Sequence, residues 1–302
     1  MSEDIRVKSI GELKRAAKEK LKGNWGIAIL LTFLAALITN AFSFSGEISN
    51  LINTLSKGLG SLNTGIEQIS EGTLAVTIMV RVGMIINLLI GGSISYGISK
   101  FFINLVRREK LKVETLFSGF KHFGKNFLIQ LIVGIFSFLW GLVIWIPAVI
   151  LIIIIIISQA STIDIFYNPN TMSTGLIAGL IVIIIITAII CSIITYLLIA
   201  RYAMTYYIFV DNPDFAVMEC ISASKEMMEG NKVKLLLLQL SFIGWHILSI
   251  LTLLIGYLWL IPYINSSMAE FYNNLKENSQ PKLEHVVEDK IEINLEKNQD
   301  LQ

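Results

Sequence analysis

The sequence predicts an all-α polytopic membrane bundle of about six transmembrane helices. Three observations predict it: a low charge content, apolar runs of spanning length, and basic residues segregated between those runs. Of 302 residues, 54% are hydrophobic and 16% charged, against about 25% charged in an ordinary soluble domain. Mean hydropathy is +0.67. A soluble core protein spreads its charges along the polar faces of its helices, whereas here they collect in a few segments. A hydrocarbon core about 30 Å thick needs about 20 helical residues at about 1.5 Å each, and several runs reach that length.

The elements follow in order. Residues 1–24 form a cytoplasmic amphipathic segment. Ser9 and Glu12 make a capping box, Ile10, Leu13, Ala17 and Leu21 share one face, and Lys14, Arg15, Lys18 and Lys22 fall mostly on the other. Such a helix lies in the headgroup region with its cations toward anionic lipid. The first span, 25–44, follows too many polar residues and too poor a cleavage site to be a signal peptide. The second span, 82–104, lies within the run Leu74 to Val106, and the third, 127–157, carries Pro147 as a kink. The fourth covers 175–200. The last apolar block is too long for one span and breaks near Leu254 to Gly256, giving spans at 234–253 and 256–274 joined by a tight turn. Residues 276–302 mix Lys with Glu and Asp around Pro281 and read as a mobile cytoplasmic tail.

Charge counting orients the bundle. Met1 to Asn24 holds seven Lys/Arg, Arg107 to Lys125 six, Phe209 to Lys234 three and Lys276 to Gln302 four. The alternate segments, Ser45 to Gly72 and Ser158 to Thr174, hold one and none. Basic loops stay cytoplasmic, so both termini are expected inside and the two uncharged-to-acidic loops outside. A full hairpin at Pro147 would invert everything after it. One kinked third span keeps all basic segments on one side.

Three approaches to the membrane resemble one another: Lys22-Gly23-Asn24-Trp25, Phe123-Gly124-Lys125-Asn126-Phe127 and Glu229-Gly230-Asn231-Lys232. Each follows a short amphipathic segment and leads into a pair of spans, as three copies of one hairpin unit would. In the third, Asn212-Pro213 supplies an N-cap and a first-turn proline; the middle one is the weakest. Chance placement of Gly and Asn as helix-stop residues is the competing explanation.

The segments Asp211-Asn212-Pro213, Ser224 through Lys232, Leu240 through Trp245, and Leu258-Trp259-Leu260-Ile261-Pro262-Tyr263 with Phe271-Tyr272 resemble the bacterial membrane proteins grouped as domain of unknown function 975. Glu12-Leu13-Lys14, Leu21 through Trp25, Leu139-Trp140 and Ile146-Pro147 fit the same pattern. The resemblance covers most of the chain and departs between about Val149 and Ile199, where an Ile-rich stretch stands. It implies a helical fold and, from the Gram-positive bacteria in which the family is mostly found, the bacterial plasma membrane. It implies no activity.

Candidate sites are few. Gly83, Asn87, Gly91, Ser95 and Ser99 recur every four residues in the second span, spacing that lets another helix approach closely. The alternative is a polar seam past Asn87 and Asn104 for a small solute. Arg81 and Arg201 sit near the ends of over-long runs and read as interfacial, snorkelling side chains, together with Lys14, Arg15 and Lys18. No Asp or Glu is expected well inside a span to pair with them. His246 and Gln239 share a face of the fifth span and suit a helix-to-helix hydrogen bond. Trp25, Trp140, Trp145, Trp259 and Tyr263 suit an aromatic belt. Asp211 and Asp214 suit a helix start.

GxSxG, HExxH and P-loop patterns are absent from the sequence, Cys191 and Cys220 lack metal-site spacing, and basic residues form no long run, so neither catalysis, cofactor, metal nor nucleic acid is expected. The expected partners are the lipid bilayer with its anionic headgroups, and a membrane protein or a second copy. The expected role is an accessory, scaffold or membrane-stress component, with a small-solute or peptide transporter as the alternative.

Overall fold

The computed structural model describes residues 8–39, 66–160 and 174–299. Among them every regular element is helical: α1 (Ile10–Leu21), α2 (Trp25–Thr39), α3 (Ile66–Arg107), a 3-10 segment (Val113–His122), α4 (Phe123–Ala160), α5 (Thr174–Ile199), a 3-10 turn (Ala200–Tyr202), α6 (Thr205–Asp211), α7 (Val217–Met227), α8 (Lys232–Leu240), α9 (Ile243–Leu251) and α10 (Tyr257–Gln299). The fold is an all-α polytopic helical bundle.

Four stretches are long and apolar enough to cross a membrane, at Arg81–Arg107, Val113–Ile155, Gly179–Asp211 and Lys232–Leu251; α1 and α2, bent by 99°, reach that length and hydropathy only when taken together. The expected first span is described only to Thr39, and the rest of 25–44 lies outside the described residues. So does most of the expected external loops, although α3 begins at Ile66. α4 runs unbroken through Pro147. The expected last span, 256–274, forms the first part of α10 but is not among the stretches of spanning hydropathy. Ser266, Ser267, Glu270 and Asn274 are buried within it. The tail continues α10 as helical backbone to Gln299.

Asp211 does not start a helix as the sequence reading had it. It ends α6, Asn212 is the C-cap, and α7 begins after Ala216. Proline lacks the N–H that a continuing helix would need, so Pro213 separates the two.

The first and third approach segments are copies in register. The backbone N–H of Ser9 donates to Glu12 Oε2 at 2.6 Å, and that of Ala216 to Glu219 Oε2 at 2.7 Å. Leu13, Ala17 and Leu21 of α1 are fully buried, and so, in the same register, are Cys220 and Ser224 of α7 and its C-cap Met228. Gly23 and Gly230 then stop the helices at φ +86° and +75°, left-handed values that glycine adopts without a Cβ clash. The next residues repeat a bond as well: Asn24 Nδ2 donates to Lys20 O and Asn231 Nδ2 to Met227 O. The middle copy differs. A 3-10 segment replaces the α-helix, and Gly124 is already helical inside α4.

These segments pack head to tail. The Val113–His122 segment lies on α3, α7 on α6 and the turn before it, and α1 on α10. Each thus covers the second helix of the preceding hairpin, and α1 closes the ring on the last one. Three side chains of α10 fasten that closure: the backbone N–H of Lys8 donates to Asn274 Oδ1 at 2.9 Å, Tyr263 Oη to Lys14 O at 3.3 Å, and Ser266 Oγ to Ala17 O at 3.3 Å. Burying Leu13 and Leu21 in it contributes about 2 kcal/mol each.

Candidate functional site

Two of the helices that close a hairpin end together, beside the middle of the third. Arg107, the last residue of α3, forks onto Asp211, the last of α6, with Nη1–Oδ1 at 2.7 Å and Nη2–Oδ2 at 2.8 Å. From α10, Lys276 Nζ reaches Asp211 Oδ2 at 2.6 Å, Tyr272 Oη donates to the same oxygen at 2.9 Å, and Asn273 Oδ1 accepts from Arg107 Nη2 at 3.0 Å. The Asp211 side chain is 7% exposed and its cationic partners 30% and 38%. Burial pushes its carboxyl up, but the hydrogen bonds from Arg107, Lys276 and Tyr272 outweigh that and hold it at about 2. A bidentate, charge-assisted pair of this kind imposes direction as well as attraction. Here it ties three exit helices to one point.

The small-residue stripe of α3 is the second candidate. Gly83, Gly91 and Ser99 are buried, Asn87 and Ser95 half-buried. The closest approaches run through their neighbours. A Cβ at Gly97 would overlap the Leu116 backbone, one at Gly92 the Asn126 backbone, and one at Gly119 the Ser93 backbone. Asn87 Nδ2 donates to Thr39 O at 3.1 Å, its own carbonyl accepts from Gln130 Nε2 at 3.2 Å, and Asn126 Nδ2 donates to Gly119 O at 2.7 Å. Asn104, the other residue of the suggested seam, lies against Lys100 O and Glu109 Oε2, to which its amide nitrogen donates once the amide is turned to face two acceptors. The stripe therefore seats the Val113–His122 segment and the start of α4 against α3.

The remaining sequence candidates are dispersed. Arg81 is exposed on α3. The Arg201 guanidinium lies 5.3 Å from the Trp140 ring centroid, and Arg201 O accepts from Ser224 Oγ. Arg15 and Lys18 point to the outside of α1. Lys14 turns inward: its Nζ bonds Ser241 O at 3.0 Å and Ser241 Oγ at 3.1 Å and lies 4.2 Å from the Phe242 centroid, where burial lowers its pKa. The expectation that it faces lipid headgroups is corrected, because α1 is packed on the bundle rather than lying free. Lys20 likewise caps the end of α3 through Val106 O at 2.6 Å. His246 Nδ1 stands 3.2 Å from Tyr257 Oη and Gln239 Nε2 3.4 Å from Met268 Sδ, so both link to α10.

Two features escaped the sequence reading. The Arg107–Asp211–Lys276 junction joins residues far apart in the chain, and no local spacing announces it. Glu270, inside the expected last span, is 4% exposed with its Oε1 unpartnered among the described residues, which corrects the expectation that no carboxyl lies there. Its place one turn from Ser266 and Asn274, on the face α1 covers, was the available signal. Among the described residues no group of three His, Cys, Asp or Glu is placed to hold a metal.

No curated protein and no solved structure matches this chain. A family model described as protein of unknown function (DUF975) matches residues 5–279, nearly the whole length, and the chain belongs to that family.

Proposed function

We propose that the protein is an accessory, scaffold or membrane-stress component of the bacterial plasma membrane, with both termini cytoplasmic, acting through helix and interfacial contacts. The observation that carries the proposal is the filled seam: the glycines beside the α3 stripe touch backbone, and the amide and carbonyl of Asn87 are taken by Thr39 and Gln130. A carrier needs polar groups free to meet its solute, and the side-chain nitrogen and backbone carbonyl of Asn87 are used for packing. The exposed cations Arg15 and Lys18 suit anionic headgroups. The bare isoleucine faces of α4 and α5 suit lipid, a membrane-protein partner or a second copy.

Crosslinking in native membranes, paired with solute flux in proteoliposomes of the purified protein, tests the reading. A reproducible crosslinked neighbour without flux supports it. Flux abolished by Asn87→Leu overturns it in favour of a carrier. For orientation, cysteines placed at Ser56 and Thr162 are expected to react from outside. Thr162 reacting only from inside would reject the assignment.

A further inference from the structure

Length and composition would let Lys232–Leu251 cross a membrane, but two contacts with α1 limit its reach. Lys14 Nζ bonds Ser241 O on the way out, and Tyr263 Oη bonds Lys14 O on the way back. Arg15, Lys18 and Glu19 are exposed on this same helix, so α1 lies at a water interface, and Ser241 and Tyr263 lie level with it. One cavity of about 340 Å³ is lined by Lys18, Trp25, Trp245 and Tyr263 and also by Thr252 and Gly256 of the turn; a cation among aromatic rings is the mixture found where a chain enters a membrane. Between Ser241 and Leu251 the chain can advance about 15 Å, half of a hydrocarbon core about 30 Å thick.

The turn at the far end is made for hydrocarbon. Leu251 is 74% exposed and Leu253 85%, with Leu254 and Ile255 more than half exposed. Every backbone N–H from Thr252 to Leu258 is nevertheless bonded within the turn. Leu253 N donates to Ile250 O, Leu254 N to Ser249 O, Ile255 N to Thr252 O, and Gly256 N to the Thr252 hydroxyl. Water is absent inside a bilayer, so a turn there must satisfy its own donors. The helix stop is a Schellman motif, in which glycine usually takes the left-handed position. Here Leu253 and Leu254 take left-handed φ of 53° and 70°. The turn thus sets leucine where glycine would relieve the backbone.

We propose that α9 and the start of α10 form a re-entrant hairpin that enters and leaves on the α1 side, its Leu251–Ile255 tip held among acyl chains near the bilayer midplane. The test uses the full chain in oriented membrane vesicles, with single cysteines at Leu253→Cys, Leu254→Cys and, as a marker of the α1 face, Arg15→Cys. The hairpin predicts that both tip cysteines resist a membrane-impermeant maleimide from either side while Arg15→Cys reacts. It also predicts that a fluorophore attached at the tip is quenched most by lipids carrying a mid-chain nitroxide. Reaction of either tip cysteine from the face opposite Arg15 shows a hairpin that crosses, and reaction from the Arg15 face shows a tip in water. Shielding from both maleimide and nitroxide lipids shows a protein neighbour. Each of these three overturns the proposal. Two tip positions guard against one substitution disturbing the turn.

Discussion

Around Asp211, side chains from three helices meet within hydrogen-bond distance, and nearby Gly97 and Gly119 lie against backbone. Along α4 and α5 the arrangement is reversed: Ile154 and Ile186 remain 57% and 52% exposed, and the apolar windows of the two helices are hardly buried at all. Lipid tails are as apolar as isoleucine, so burying isoleucine between helices gains little inside a bilayer. The α4–α5 hairpin is held in place by the bilayer, and the junction by contacts that tolerate few replacements. Substitutions of similar size should therefore have very different consequences in the two regions.

The largest effect is expected at the backbone approach. Gly97→Leu drives a side chain into the Leu116 backbone, which cannot move aside as a rotamer would. Overpacking of this kind costs on the order of 3 kcal/mol, enough to abolish a monodisperse peak in detergent gel filtration. Ile186→Leu on α5 should change the melting temperature negligibly. An equal loss from both would remove the distinction between the regions.

Next comes the ionic junction. Asp211→Asn leaves Arg107 and Lys276 without their counter-charge, which by the cost of breaking a buried pair, reduced for partners a third exposed, is about 2 kcal/mol. The pH dependence has a defined sign. The folded carboxyl is held at about 2, below its ordinary value of 3.8, so the unfolded chain binds more protons in between. The extra stability is complete above about pH 4 and is lost as pH falls toward about 2. Thermal unfolding across that window should show wild type losing its advantage over Asp211→Asn, and parallel curves would refute the assignment.

How much of this was legible depended on range. The α1 capping box and buried face could be read because they are local: Ser9 and Glu12 are three residues apart, and Leu13, Ala17 and Leu21 repeat at one turn. The α3 stripe was legible as a packing surface, but the residues in closest approach, Gly92 and Gly97, stand beside it, because they meet two different neighbours, Asn126 of α4 and Leu116 of the 3-10 segment, and a four-residue repeat on α3 specifies neither. Asp211 was misread as a helix start because Asn212-Pro213 is the usual signature of one. Its partners Arg107 and Lys276 become neighbours only once the ring closes. Lys14 was misassigned to lipid for the same reason, since Ser241 reaches it only through tertiary packing.

A moderate effect is expected at that contact. Lys14→Met keeps an unbranched stem and removes both the bonds to Ser241 and the ammonium over the Phe242 ring. Hydrogen bonds from a charged donor are worth about 1.5–3 kcal/mol when well shielded, and Lys14 is only partly covered, so a loss of about 1 kcal/mol is expected in the same unfolding assay. No loss would mean that α1 is held by its apolar face alone.

The smallest effects discriminate best, because they separate the copies of the repeat from one another. Gly23, Gly124 and Gly230 stand in similar sequence surroundings, and none would bring a Cβ against a neighbour. They differ in backbone: Gly23 and Gly230 are left-handed, and Gly124 is helical. Alanine at a left-handed position costs about 1 kcal/mol, whereas alanine inside a helix gains about the same over glycine. Gly23→Ala and Gly230→Ala should therefore lower stability by matching amounts and Gly124→Ala should leave it unchanged or raise it. Three equal losses would show that the middle segment stops like its neighbours, and the distinction drawn between the 3-10 copy and the two α-helical ones would fall.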